Sequence, residues 1–259
     1  MSHRSLLCLL LILALKISAA AQSIPEHLQL FLLIGQSNMA GRGTVEPADQ
    51  ETNPHIFMLT KDLQWTLARD PVHFDKPVAG VGLCSQFARV LAKADPTVNV
   101  GLIPCAVGGT SLDQWKAGGK LYNNAIERAR SAMKNGTLAG ILWHQGEADS
   151  AHDKVVTYPE RFAAMIAQLR KDLQAEKVPL VIGELGRFRP ASNEFNAALP
   201  EVAKRVPLCA MVTAEGLNDR GDHLHFDTPS LHTFGERYAA AYLKLKAEAA
   251  GDKPGAQHQ

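Results

Sequence analysis

Five short runs rich in valine, isoleucine and leucine, at 30–34, 98–106, 138–143, 179–183 and 208–213, recur along the chain with an amphipathic stretch between each pair. A run that stays apolar at successive positions suits a strand covered on both faces. The stretches between, at 84–94, 121–134, 158–175 and 194–206, suit helices, and a last one at 230–249 closes the series. Strand and helix in strict alternation lead to one architecture. The expected fold is α/β: a three-layer α/β/α, doubly wound domain around a five-stranded parallel sheet.

In such sheets, functional groups gather where the carboxyl ends of the strands pass into loops. The polar residues of this chain cluster at those positions. Gly35-Gln36-Ser37-Asn38 follows the first run, Val107-Gly108-Gly109-Thr110-Ser111 the second, and His144-Gln145-Gly146-Glu147 the third. Asp222-His223-Leu224-His225 follows the fifth. Four loops distant in sequence are therefore expected to meet along one edge.

Their residue types suit acyl transfer. A serine hydroxyl becomes a useful nucleophile when a base takes its proton and an acceptor holds that base in one tautomer. Ser37 is the candidate nucleophile, His225 the base and Asp222 its partner. Three positions separate Asp222 from His225, close enough for the carboxylate to accept from Nδ1–H within one turn. The order Ser, Asp, His is common to several hydrolases and decides little alone. A developing oxyanion needs donors already in place. The candidates are the Ser37 N–H, a glycine N–H from Gly108-Gly109, and the side-chain amide of Gln145. Gln36, Asn38, Gly108 and Glu147 are expected to support the site. Trp115 could stack on a sugar ring or pack beneath its loop.

These four blocks, Gly35-Gln36-Ser37-Asn38-Met39, Gly108-Gly109-Thr110-Ser111 with Trp115, Trp143-His144-Gln145-Gly146-Glu147-Ala148-Asp149, and Asp222-His223-Leu224-His225-Phe226, resemble the SGNH hydrolase superfamily. They are most similar to its branch of sialate O-acetylesterase domains and family-six acetyl xylan esterases. The resemblance implies a flavodoxin-like fold and a serine esterase that removes acetyl groups from sialic acid, xylan or a related glycan through an acyl-enzyme. It implies the triad Ser37, Asp222 and His225, and an oxyanion hole from Ser37, Gly109 and Gln145. No cofactor or metal is needed. Gln145-Gly146-Glu147 replaces the superfamily's usual Gly-x-Asn-Asp, as it does in that branch.

Three other readings stand beside this one. Asp222, His223, His225 and Asp227 crowd a short segment with His-x-His spacing, and with His144 and Asp149 they could hold a metal. Cys84, at an expected helix start, could be a thiolate nucleophile. The chain could also bind sugar without turnover.

The remaining features bound the setting. Arg4, the apolar run 6–15 and the small residues at 18–21 read as a secretory signal peptide spanning 1–21. Ten apolar residues are too few to span a bilayer, which takes roughly 20. The chain is expected to be secreted or periplasmic, with one domain at 22–250 and a frayed tail at 251–259. The whole chain carries 27 basic and 26 acidic residues, and the signal segment takes Arg4 and Lys16 with it. So even a balance excludes a nucleic-acid footprint and a membrane-surface patch. The expected partner is an acetylated sugar or polysaccharide, and no oligomeric state is specified. With Cys8 inside the signal segment, Cys84, Cys105 and Cys209 remain, an odd set that permits one disulfide at most and argues against a disulfide scaffold.

Overall fold

A computed structural model describes residues 25–251. The expected signal segment at 1–21 lies outside these residues, as does all of the expected tail except Gly251. In chain order the elements are β1 (Leu28–Gly35), α1 (Ser37–Ala40), β2 (Ile56–Leu59), β3 (Trp65–Leu67), α2 (Leu83–Ala94), β4 (Val100–Pro104), α3 (Lys120–Ala132), β5 (Gly136–His144), α4 (His152–Asp172), β6 (Leu180–Gly183), α5 (Asn193–Arg205), β7 (Cys209–Val212) and α6 (Thr228–Ala250). No helix among the described residues is long and apolar enough to cross a membrane.

The sheet has seven strands in the order β3-β2-β4-β1-β5-β6-β7. This corrects the expected five-stranded parallel sheet. The five expected strands are present and parallel, β2 adds a sixth parallel strand beside β4, and β3 closes that edge antiparallel to β2. The sheet is therefore mixed.

Alternation along β1 shows how the layers assemble, because successive side chains of a strand point to opposite faces. Leu28, Leu30, Leu32 and Ile34 pack with α3, α4 and α5, through residues such as Ile126, Phe162 and Phe195. Phe31 and Leu33 pack with α2 and α6, through Phe87, Phe234 and Tyr242. Both faces of β1 are thus buried. That burial explains why its sequence reads as one apolar run.

Helix boundaries follow local chemistry. Asp227 caps α6 by accepting from the Ser230 N–H (2.8 Å), and Gly251 ends it in the left-handed region. α4 begins at His152, six residues before the expected start, and carries Pro159 inside. A proline is tolerated in a first turn, and Pro159 falls beyond the first turn of this helix. The packing of Val155 in the core extends the helix past it.

The central five strands run β4-β1-β5-β6-β7. That is the doubly wound order in which the connections reverse direction beside β1, opening a crevice at its carboxyl end. Ser37 is placed there. Gly35 makes the turn possible: its φ is +132°, and a Cβ there would lie 2.1 Å from the His144 carbonyl oxygen. Only glycine lets the β1 backbone pass so close to β5 before turning into α1.

Candidate active site

Ser37 is the first residue of α1, so its N–H has no helical partner. Its Oγ lies 3.0 Å from His225 Nε2, across 188 positions of sequence. His225 Nδ1 lies 2.7 Å from Asp222 Oδ2. The other Asp222 oxygen accepts from the N–H groups of Leu224 (3.0 Å) and His225 (2.8 Å). Burial acts to raise the Asp222 carboxyl, but the bonds from the His225 backbone and ring and from Leu224 outweigh it, holding it below the usual carboxylate range. An ionised carboxylate only accepts, so Nδ1 carries the hydrogen and Nε2 is left to accept from the serine hydroxyl. The loop segments at 35–38 and 222–225 therefore meet as a nucleophile, base and acid partner would.

These groups open onto a cleft of about 490 Å³. Gln36, Ser37, Gly108, Gly109, Glu147, Leu224 and His225 line it, with Arg42, Lys76, Val78 and Arg189 from the stretches 41–78 and 185–192, which the sequence expects to shape a pocket. The sequence reading singled out none of those last four. Arg42 stands within the glycine-rich stretch after Ser37, and the others sit in loops whose conformation no periodicity reveals.

The two glycines differ in role. The Gly108 N–H donates to Asp75 Oδ2 (2.8 Å), which also pairs with Arg42 Nη2 (2.7 Å). Both side chains are nearly sealed from water, at 5% and 2% exposure. Burial alone would raise the Asp75 carboxyl, but Arg42 and the Gly108 N–H hold it low. Gly109 has φ +80°, a conformation that favours glycine. Among the described residues no acceptor takes its N–H. Gly109 is therefore the glycine free to donate into the cleft.

Gln145 does not fill the role expected of it. Its Nε2 donates to the Thr110 carbonyl (3.1 Å) and to Asp149 Oδ2 (2.6 Å), and its Oε1 accepts from the Tyr158 hydroxyl (3.0 Å). Both amide hydrogens are committed inside the protein, so none is left for an oxyanion. Of the two readings of Trp115, the structure bears out packing beneath the loop. It is 1% exposed, donates from Nε1 to Thr110 Oγ1 (3.1 Å) and packs edge-on against Trp143, beneath the loop instead of beside a sugar.

The candidate metal ligands are dispersed. His223 is 84% exposed and turned to Asp219, Asp227 caps α6, and Asp149 holds Gln145 and the Leu112 N–H. His144 is buried against Phe226 and Phe234, with Nε2 on the Glu184 carbonyl (3.0 Å). Among the described residues no three such side chains gather. Cys84 is fully buried, and burial pushes its thiol far above the ordinary value, opposite to what a nucleophile needs. Cys84, Cys105 and Cys209 are all free.

The chain is similar to known proteins. The family model described as carbohydrate esterase, sialic acid-specific acetylesterase, matches residues 27–244. A protein of Arabidopsis thaliana named "Probable carbohydrate esterase" is 33% identical over 246 residues, covering 85% of this chain and 92% of its own. A solved Arabidopsis thaliana structure aligns with a TM-score of 0.75 at 29% identity, over 83% of this chain and 98% of that one. The structure named NanS, at 18% identity, shares the fold with a TM-score of 0.70, over 86% of this chain and 99% of its own.

Proposed function

The chain belongs to the family of carbohydrate esterases described as sialic acid-specific acetylesterases, and from that membership we propose that it deacetylates a sugar with Ser37 as nucleophile, His225 as general base and Asp222 as the group that orients His225. As a family member it is a carboxylic ester hydrolase. The single observation that carries the residue roles is the 3.0 Å approach of Ser37 Oγ to His225 Nε2, with Asp222 fixed behind it.

In the first step Ser37 Oγ bonds to the acetyl carbonyl carbon while its proton passes to His225 Nε2. The carbonyl oxygen takes the negative charge and meets the N–H groups of Ser37 and Gly109. Collapse breaks the bond to the sugar oxygen, which leaves with the proton from His225. Water then attacks the acetyl-serine, giving its proton to His225. Acetate departs and Ser37 recovers its hydrogen. Asp222, kept ionised, stabilises the imidazolium that forms in each half.

For the sugar, we favour an acidic one over neutral xylan. Lys76 and Arg189 line the cleft, and Lys76 Nζ lies 3.8 Å from the point a Cβ of Gly109 would occupy. Arg42, by contrast, is already neutralised by Asp75. Lys76 and Arg189, two cations against the single carboxylate of Glu147 in the same lining, suit a substrate carboxylate. The test is acetate release from O-acetylated sialic acid and from acetylated xylo-oligosaccharide by wild type, Ser37→Ala and His225→Ala. Both variants should lose roughly four to six orders of magnitude in turnover, and the acidic sugar should be the better substrate. Near-normal rates in either variant would overturn the triad; preference for the neutral sugar would overturn only the substrate assignment.

A further inference from the structure

Asn38, the residue after the nucleophile, makes two of its three hydrogen bonds to the segment that carries the base. Its Oδ1 accepts from the Phe226 N–H (3.2 Å) and its Nδ2 donates to the Leu224 carbonyl (3.2 Å). These are the two neighbours of His225. The second Nδ2 hydrogen goes to Glu147 Oε1 (2.5 Å), in the loop after β5. Asn38 is buried, and its bonds to Phe226 and Glu147 are shielded from water, while the one to the half-buried Leu224 is partly so.

From this arrangement we infer that Asn38 is a positioning residue, anchored by Glu147, that clamps the backbone on both sides of His225 and so sets the distance from Nε2 to Ser37 Oγ. The inference rests on the triad reading above and goes beyond it. Asn38 touches neither substrate nor reacting atoms and acts through His225.

The geometry explains why such a clamp is needed. The segment leading to His225 contains Gly216, Gly221 and His223 in the left-handed region. Asp222 and His223 are exposed side chains on that segment. The bonds from Asp222 to Leu224 and His225 shape the turn internally but do not tie it to α1. Phe226 anchors the far end in an aromatic cluster with His144, Phe188 and Phe234. Asn38 makes the direct tie between the nucleophile's own turn and the base's own peptide groups. A rigid link of two residues on one side and one on the other leaves little play in the Ser37–His225 distance. Glu147 extends the tie to the third loop, fixing the amide plane of Asn38.

A residue that acts through His225 should matter only while His225 is present. The experiment is a double-mutant cycle on turnover of p-nitrophenyl acetate, with each rate referred to the folded fraction. Asn38→Ala should lower kcat on the order of a hundredfold, the scale set by misplacing a catalytic group by about 1 Å, with KM changed less than about threefold. In a His225→Ala background the same substitution should lower the residual rate by less than about threefold. Equal losses in the two backgrounds would assign Asn38 to the fold alone and overturn the inference. Wild-type kcat in Asn38→Ala would overturn it too. Should Asn38→Ala fail to fold, Glu147→Ala carries the same cycle without touching the nucleophile turn. Glu147→Gln keeps an oxygen for Asn38 and should restore most of the loss, whereas failure of that rescue, or a loss confined to KM, would contradict the clamp. A failed triad shows itself separately, as near-normal turnover in His225→Ala alone, and takes the clamp with it.

Discussion

Asp70, 1% exposed, lies beneath the start of α2, where it accepts from the Gly82 N–H (3.3 Å) and from the Ser85 hydroxyl. Burial outweighs both bonds and raises its carboxyl from 3.8 to about 7. A carboxyl raised on folding holds its proton longer in the native state. Its contribution to stability therefore falls as pH rises from about 4 to 7 and is level beyond. His73, on the same loop, has the opposite sign: burial lowers it from 6.5 to about 4, so its contribution is whole above 6.5 and is lost as pH falls towards 4. Between these limits the two slopes oppose, and above 6.5 only that of Asp70 remains. Asp70→Asn, which keeps an oxygen for Gly82, should gain stability relative to wild type by about 2 to 4 kcal/mol between pH 4 and pH 8. Urea unfolding at the two pH values checks this, and a pH-independent difference would contradict it. At this scale, sequence identifies residues by chemical type, and the partner found after folding decides the use; Ser37 and His225 lie 3.0 Å apart, as the sequence reading expected. Gln145 and Trp115 each suit two roles, and only the partners available after folding, Asp149 and Thr110 among them, decide between them.

Elements read differently, through length and burial. β1, β4 and β6 are covered on both faces, as is the second half of β5, and they announce themselves as apolar runs, as does β7, the far edge strand, although it is only partly buried. β2 and β3 have four and three residues, and Trp65, Thr66 and Leu67 of β3 are all partly or fully exposed. β3 is the edge strand, and its three residues carry no alternation that marks a strand; β2 lies inside it, between β3 and β4, as short as β6 and largely buried, and the sequence reading missed it. Their pairing extends the sheet without touching the cleft. The junction of β1 with α1 is more exacting, because Gly35 passes the His144 carbonyl with no room for a side chain. Gly35→Ala should destabilise the protein by about 3 kcal/mol or more, by forcing apart the two central strands or straining the turn. A urea midpoint within error of wild type would show that the turn can relax, and that the nucleophile does not depend on this close approach.

Across the whole molecule, one topological fact positions the chemistry. Because the strand order reverses beside β1, the loops after β1, β4 and β5 open at the same end of the sheet. The segment entering α6 returns the histidine to that end. The convergence was legible from strand ends alone, since every block of the candidate triad follows an expected strand. The surrounding wall was legible only as the stretches 41–78 and 185–192, which the sequence expects to shape the pocket; that Lys76, Val78 and Arg189 are the residues they contribute was not, because these come from irregular segments. The account as a whole depends on Ser37 being the atom that receives the acyl group, activated by His225. The most direct measurement is peptide mass spectrometry after treatment with an organophosphate such as diisopropyl fluorophosphate, which attacks only an activated serine. The account predicts a single adduct on Ser37, formed with loss of esterase activity and abolished in His225→Ala. An adduct on another residue, or full inactivation with Ser37 unmodified, would contradict it.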